Sequence, residues 1–201
     1  MTPLMFAALA DHYDLVKYFL QCSGGMDVNA VDWQGNSALH YAAAGRCLQA
    51  IDTRHKEVTL KALVEKGANV NEANHDGMTP IMNAISDGNE DAVAVLLASH
   101  ADVNTTTKFG MTPLMHAAAQ GSTTVLTLLL NAGACAAVKT HDGNTALHYA
   151  ASRGRFAAYE LLRDKFGCST SDQNSSGKTP EELFEHAKET KQGDRVSIFS
   201  R

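Results

Sequence analysis

The sequence predicts an all-α solenoid of stacked helix-turn-helix units joined by β-hairpin-like finger loops. Three observations predict it. First, one motif recurs, as TPLMFAALA from Thr2, SALHYAAAG from Ser37, TPIMNAISDG from Thr79, TPLMHAAAQG from Thr112 and TALHYAASRG from Thr145, with a diverged copy, TPEELFEHAK, from Thr179. The intervals between these openings are 35, 42, 33, 33 and 34 residues, a period at which each copy is one supersecondary unit. Second, the later half of each unit also repeats, as QCSGGMDVN (21–29), VEKGANVN (64–71), LASHADVN (97–104) and LNAGACAA (130–137). Third, a turn signal stands before each new opening: DWQGN, NHDGM, KFGM, HDGN and SSGK.

The residues of one unit justify its elements in order. Thr112 caps a helix with its hydroxyl, and Pro113 suits the first helical position because its missing N–H would be unpaired there anyway. Leu114, Ala117 and Ala118 face inward, the alanines allowing a neighbouring helix to approach closely, and Gly121 ends the helix. The second helix, within STTVLTLLLNAG, groups Val125, Leu128 and Leu129 on one face, with Gly133 suited to a left-handed cap. The finger that follows turns on HDG, whose glycine accepts positive φ. A lone unit cannot cover its own apolar faces, so the units fold by stacking.

The period and the T-P-L-H-x-A-like signature resemble the ankyrin repeat, over nearly the whole chain from Thr2 to about Lys188. The resemblance implies one ankyrin-repeat domain over 1–201. Its repeats would run 2–36, 37–78 with an insert at 46–54, 79–111, 112–144 and 145–178, followed by a capping half-repeat 179–192 and a tail 193–201. It also implies that His40 and His148, fourth in their motifs, hydrogen-bond the Ser/Thr hydroxyl region and nearby finger backbone.

Composition narrows the function. The chain of 201 residues carries a formal charge of −5 without a basic run, so the footprint of nucleic-acid binding is absent from the sequence. No apolar stretch reaches the length of a membrane span, and no charged-then-apolar leader opens the sequence. Cys22, Cys47, Cys135 and Cys168 form no CxxC pair and are expected to be reduced thiols of an intracellular protein, cytoplasmic or nuclear. Asn104-Thr105-Thr106 and Asn174-Ser175-Ser176 match the glycosylation pattern but are read as chance without a secretory route.

Residues that look chemical fall into the repeat register. His75-Asp76 and His141-Asp142 sit at finger tips two repeats apart, so tips spaced as packed helices are would lie roughly 20 Å from each other and share no substrate. Gly177-Lys178-Thr179 ends like a phosphate-binding loop, yet Asp172 stands where that loop needs its first glycine. The scattered cysteines cannot ligate one zinc ion. LLASHADVN (96–104) makes Asn104 a candidate for the asparagine hydroxylation known in such repeats. No catalytic residue, metal site or cofactor is expected.

The expected function is therefore non-catalytic, a scaffold or adaptor that binds a protein partner as a monomeric domain, without nucleic acid or membrane insertion. The resemblance places contacts on the finger tips and the concave face. The tips hold Trp33, Gln34, His75, Asp76, Lys108, Phe109, His141 and Asp142, with Asn36, Met78, Met111 and Asn144 at their shoulders. The fifth motif position reads Phe6, Tyr41, Asn83, His116 and Tyr149, and the last four join the expected binding residues as the wall of a groove. The alternative is a regulatory or substrate-recruiting part of a larger enzyme. Several departures carry expectations of their own. The insert RCLQAIDTR (46–54), helical or loop, would project away from the tips. Leu4, Met5 and Phe6 give the first unit no polar cap, as in a fragment or a face that meets another surface, whereas Glu181, Glu182, Glu185 and Lys188 make the last helix a polar cap. The tail is expected to pack through Val196, Ile198 and Phe199.

Overall fold

The computed structural model describes residues 1–21, 26–44 and 54–198, with backbone alone for 54–55 and 191–198. The chain divides into two compact units, 1–108 and 109–201. The first contains α1 (Pro3–Leu9), α2 (Tyr13–Gln21), α3 (Ala38–Ala43), α4 (Arg54–Glu65), α5 (Pro80–Ser86) and α6 (Glu90–Ala98). The second contains α7 (Pro113–Gln120), α8 (Thr123–Asn131), α9 (Ala146–Ser152), α10 (Phe156–Glu160) with a π-helical turn, Leu161–Lys165, and α11 (Pro180–Ile198). No strand occurs among the described residues. The first finger closes with a single antiparallel bridge between Val31 and Ser37.

Every odd-numbered helix begins one residue after a repeat's Thr or Ser, and the caps show why. The hydroxyl of Thr2 accepts the Met5 amide (3.3 Å), Thr112 that of Met115 (3.3 Å) and Thr179 that of Glu182 (3.2 Å). The reciprocal bond runs back from the capping residue's own N–H to the side chain three residues on. It ends on sulfur at Met5 (3.2 Å) and Met115 (3.5 Å), on Nδ1 at His40 and His148 (both 3.1 Å) and on carboxylate oxygen at Glu182 (3.1 Å). Three side-chain chemistries thus do one job, each satisfying an amide that helix geometry leaves orphaned.

On the first helices of the five full repeats the third, fourth, sixth and seventh motif positions are buried. Leu39, Ala43, Met82, Ala84, Ala117, Ala118, Ala150 and Ala151 lose essentially all exposure. Leu4 and Met5 belong to this set, which corrects the expectation that they lie on an uncapped end. They hold the same inward register as Leu114 and Met115, while Met1, Phe6 and, on α2, Leu15 and Tyr18 leave apolar surface open. In α8 the buried side chains are Val125, Leu126 and Leu129, while Leu128 is only half-covered. With Ser122 as cap, the 3.6-residue period swings Leu128 to the flank of the buried stripe and brings Leu126 in.

The left-handed corners follow the register too. Gly88, Gly121 and Gly154 close the turn between the helices of a pair at positive φ, and Asp11 holds the same place at φ 55°. After the second helix, Gly67, Gly133 and Gly167 do likewise, and His100 substitutes for them at φ 62°.

At the far end, Phe184 of α11 packs face to face on Tyr159 (centroids 3.9 Å apart) and edge-on to Phe156 (5.3 Å). The Tyr159 hydroxyl donates to Glu181 (2.6 Å), and burial beside that carboxylate pushes the phenol's pKa up. Glu182, Glu185 and Lys188 stay exposed, so the helix presents the polar face a cap needs. Helix α11 continues to Ile198, so residues 193–198 are not the separate tail expected of them; a lone Gly193 costs a helix only about 1 kcal/mol. The side chains of Val196 and Ile198, all of Phe199 and insert residues 46–53 lie outside the described residues.

Candidate functional site: the fingers and the inner helices

Four fingers are held by a short polar side chain at the base. Asp32 Oδ1 accepts the amides of Gln34 and Asn36 (both 2.9 Å), Asn74 Oδ1 those of Asp76 (2.9 Å) and Met78 (3.0 Å), and Asn174 Oδ1 those of Ser176 and Lys178 (both 3.0 Å). Thr140 Oγ1 accepts the Asn144 amide (3.1 Å) in the same place. Such side chains mimic a backbone turn and fix the tip that follows.

Successive fingers are then tied together. Within the first unit the His75 amide donates to the Gln34 carbonyl (2.9 Å), the Lys108 amide to the Asp76 carbonyl (3.0 Å) and Asn74 Nδ2 to Asn36 Oδ1 (2.8 Å). Within the second, the His141 amide donates to the Phe109 carbonyl (3.3 Å), the Ser175 amide to the Asp142 carbonyl (2.8 Å) and Asn174 Nδ2 to Asn144 Oδ1 (2.8 Å). The finger glycine makes this approach possible. A Cβ on Gly77, which stands at φ 77°, would lie 2.8 Å from Thr107 Cα, and one on Gly35 would lie 2.9 Å from the His75 amide nitrogen.

The motif histidines join fingers to helices. In His40, Nδ1 accepts from the Ser37 amide, so the proton sits on Nε2, which donates to the Met78 carbonyl (3.0 Å) of the next finger. His148 repeats this with the Thr145 amide and the Lys178 carbonyl (3.2 Å). Burial lowers the pKa of both rings, and of His116, against partial compensation from the carbonyls that His40 and His148 bond. The folded chain therefore keeps them neutral where an unfolded one, with histidine near 6.5, takes up protons. Stability from this source is full above about pH 6.5 and declines as the pH falls below it. The melting temperature followed by circular dichroism should drop between pH 7 and pH 5, and drop less steeply in a His40→Gln, His148→Gln double variant. Equal slopes for the two proteins would contradict the neutral, buried assignment.

The residues singled out from sequence divide by exposure. Trp33 and Phe109 stand out at 79% and 71% exposed. Gln34, His75, Asp76, Lys108, His141 and Asp142 are exposed beside them, whereas Asn36, Met78, Met111 and Asn144 are half-buried shoulders. Tyr41, Asn83, His116 and Tyr149 are half-buried on the inner helices. In the first unit, Asn36, Tyr41 and Asn83 come together around one pocket, and the Tyr41 hydroxyl donates to Asp32 Oδ2 (2.5 Å). Asn104 is exposed, its amide bonded to Asp102 Oδ1 (2.8 Å).

Readings weighed as chemistry resolve locally. Gly177-Lys178-Thr179 forms a finger turn at φ 72° followed by a capping box, so the Thr179 hydroxyl and amide serve α11. Among the described residues no three His, Cys, Asp or Glu side chains are placed to share a metal ion. No described helix is long and apolar enough to cross a membrane. Sequence reasoning overlooked the base residues Asp32, Asn74, Thr140 and Asn174. Their signal is positional: each stands four residues before the residue that precedes a repeat's Thr or Ser.

Comparison with known proteins agrees with this geometry. The family model for ankyrin repeats (3 copies) matches residues 1–53, 47–107 and 96–175. The chain is 34% identical over 84 residues to the ankyrin repeat protein OPG189 of Variola virus, and equally so to that of the isolate Human/India/Ind3/1967. The match takes in 41% of this chain but only 13% of those longer proteins. With the family model matching most of its length and the helix pairs, caps and fingers arranged as described, the chain belongs to the ankyrin-repeat family.

Proposed function

We propose that the chain is a non-catalytic scaffold or adaptor that binds a protein partner through its finger tips and the concave side of its first helices. Ankyrin repeats are in general protein-interaction modules and typically non-catalytic, and that gives the class. The observation that carries the proposal is the pairing of exposed tip aromatics with rigid fingers. Trp33 and Phe109 each project from a turn whose backbone is bonded to its neighbour. A large ring held this way contributes contact area on binding at little ordering cost, which is the character of an interface hot spot.

The test uses a partner recovered by affinity capture, identified by mass spectrometry and then purified. In calorimetric titrations, Trp33→Ala and Phe109→Ala should each weaken binding by about 1–3 kcal/mol with unchanged melting temperature. Lys61→Glu on α4 removes only an exposed pair with Glu57 (2.6 Å) and should change affinity little. Unchanged affinity in both alanine variants, with loss in Lys61→Glu, would move the interface to the second helices.

A further inference from the structure

The pocket of the first unit measures about 310 Å³, the low end for ligand sites and room for one long side chain rather than a cofactor. Its origin is visible in the repeat register. The fifth motif position carries a ring at Phe6, Tyr41, His116 and Tyr149, and only the third repeat puts a short carboxamide there, Asn83. Asn83 takes less room than any of those rings, and the pocket opens against it, between Tyr41 of α3 and Ser86 at the end of α5. Leu9 and Ala44 complete the wall with apolar surface.

The polar side chains of the lining already have partners, with one exception. The Tyr41 hydroxyl donates to Asp32 Oδ2, and its oxygen accepts from the Asn36 amide. Asn36 also donates to Gln34 Oε1 (3.3 Å) and accepts from Asn74 Nδ2 (2.8 Å). His40 has Nδ1 facing the Ser37 amide and Nε2 on the Met78 carbonyl. Ser86 and Asp87 each have an interaction of their own. The exception is the Asn83 side chain, half-buried and hydrogen-bonded to no other described residue. Its carboxamide offers an acceptor and donors from one planar group. Because the Asp87 carboxylate is among the groups already engaged, a charged occupant would lose hydration here without a free partner.

We infer that this pocket receives a neutral carboxamide side chain of the protein partner, glutamine, which pairs with Asn83 and lays its methylene stem against Leu9 and Ala44. The pairing is reciprocal, each carboxamide donating one N–H to the other's oxygen. A partner's backbone does not reproduce it, because a trans peptide unit points its N–H and C=O to opposite sides, whereas a primary carboxamide carries both on one edge. Glutamine fits better than asparagine because its longer stem covers the apolar wall. The inference rests on the finger-face reading above and narrows its partner to one presenting a glutamine on an exposed segment.

Blocked pentapeptides, acetyl-Gly-Gly-X-Gly-Gly-N-methylamide with X as glutamine, methionine, glutamate, arginine or glycine, test this by amide chemical-shift titration of the labelled full chain. The glutamine peptide should saturate shifts at Asn36, Tyr41, Asn83 and Ser86 about fivefold more tightly than methionine, which matches its length without its hydrogen bonds. Glutamate and arginine should bind more weakly than glutamine, and salt should leave the glutamine peptide unaffected. Asn83→Leu should weaken glutamine about fivefold and leave methionine no weaker, a contrast that general unfolding would not produce. Asn83→Tyr places in the third repeat the ring that Tyr41 and Tyr149 carry in theirs, so it should keep the melting temperature and abolish saturation by every peptide. Methionine, arginine, glutamate or glycine peptides saturating the same residues as well as glutamine would overturn the carboxamide pairing while leaving the finger-face reading standing. Saturation confined to α2 and α4 would overturn both. No saturable shift with any peptide would overturn the pocket as a recognition site.

Discussion

Aspartate in place of Ala118 is expected to abolish cooperative unfolding, or to lower stability by at least about 3–5 kcal/mol. Ala118 is 0% exposed on α7, in the position where Ala43, Ile85 and Ala151 lie in their own repeats. A methyl group there lets the neighbouring helix approach, and a carboxylate brings both volume and charge. No described cation stands in that layer of small apolar side chains to pair with it. A buried, unpaired charge is strongly disfavoured, and protonation relieves that only by leaving an unsatisfied polar group. Ala118→Ser, smaller and neutral, should lose far less. Denaturant unfolding of the three proteins followed by circular dichroism decides the matter. A mid-point for Ala118→Asp equal to wild type would mean that α7 presents a different face to the core.

Gly77→Ala is expected to cost about 2–4 kcal/mol, from two sources that add. The backbone stands at φ 77°, where any side chain is strained. The new methyl would also press on Thr107 Cα at 2.8 Å and the Lys108 nitrogen at 3.0 Å, both backbone atoms without a rotamer to escape into. Gly133, at φ 90° but with nothing within 4 Å of a built Cβ, isolates the first source, so Gly133→Ala should lose only about 1–2 kcal/mol. Equal losses at the two glycines would deny the close approach of fingers within the first unit. Because the Lys108 amide bonds the Asp76 carbonyl, Gly77→Ala should also speed exchange of that amide.

The same two residues show how far the sequence could be read. Ala118 was legible because its motif recurs at intervals of 33 to 42 residues, so inward positions are seen again and again in one register. The finger glycines were legible as turn residues, but the close approach was not, since it depends on atoms a repeat away in the chain. The fourth motif position shows a further limit. Methionine, histidine and glutamate look unrelated as letters, yet Met5, His40, Met115, His148 and Glu182 all receive the capping residue's amide. Only geometry reveals that a thioether stands in for an imidazole. The inward placement of Leu4 and Met5 was available from register and was masked by reading the first unit as an exposed end. Among candidate binding residues, exposure of Trp33 and Phe109 followed from their place at the tips. The pocket joining Asn36, Tyr41 and Asn83 draws on three repeats, and only the alignment of Tyr41 with Asn83 at the fifth motif position was legible.

Hydrogen exchange of the chain, alone and saturated with its purified partner, tests most directly whether the fingers carry the interaction. The account predicts slowed exchange at 33–36, 75–78 and 108–111, at the tips and shoulders, with α2, α4 and α6 unchanged. Protection confined to α2, α4 and α6, with all three fingers exchanging as in the free chain, would contradict it.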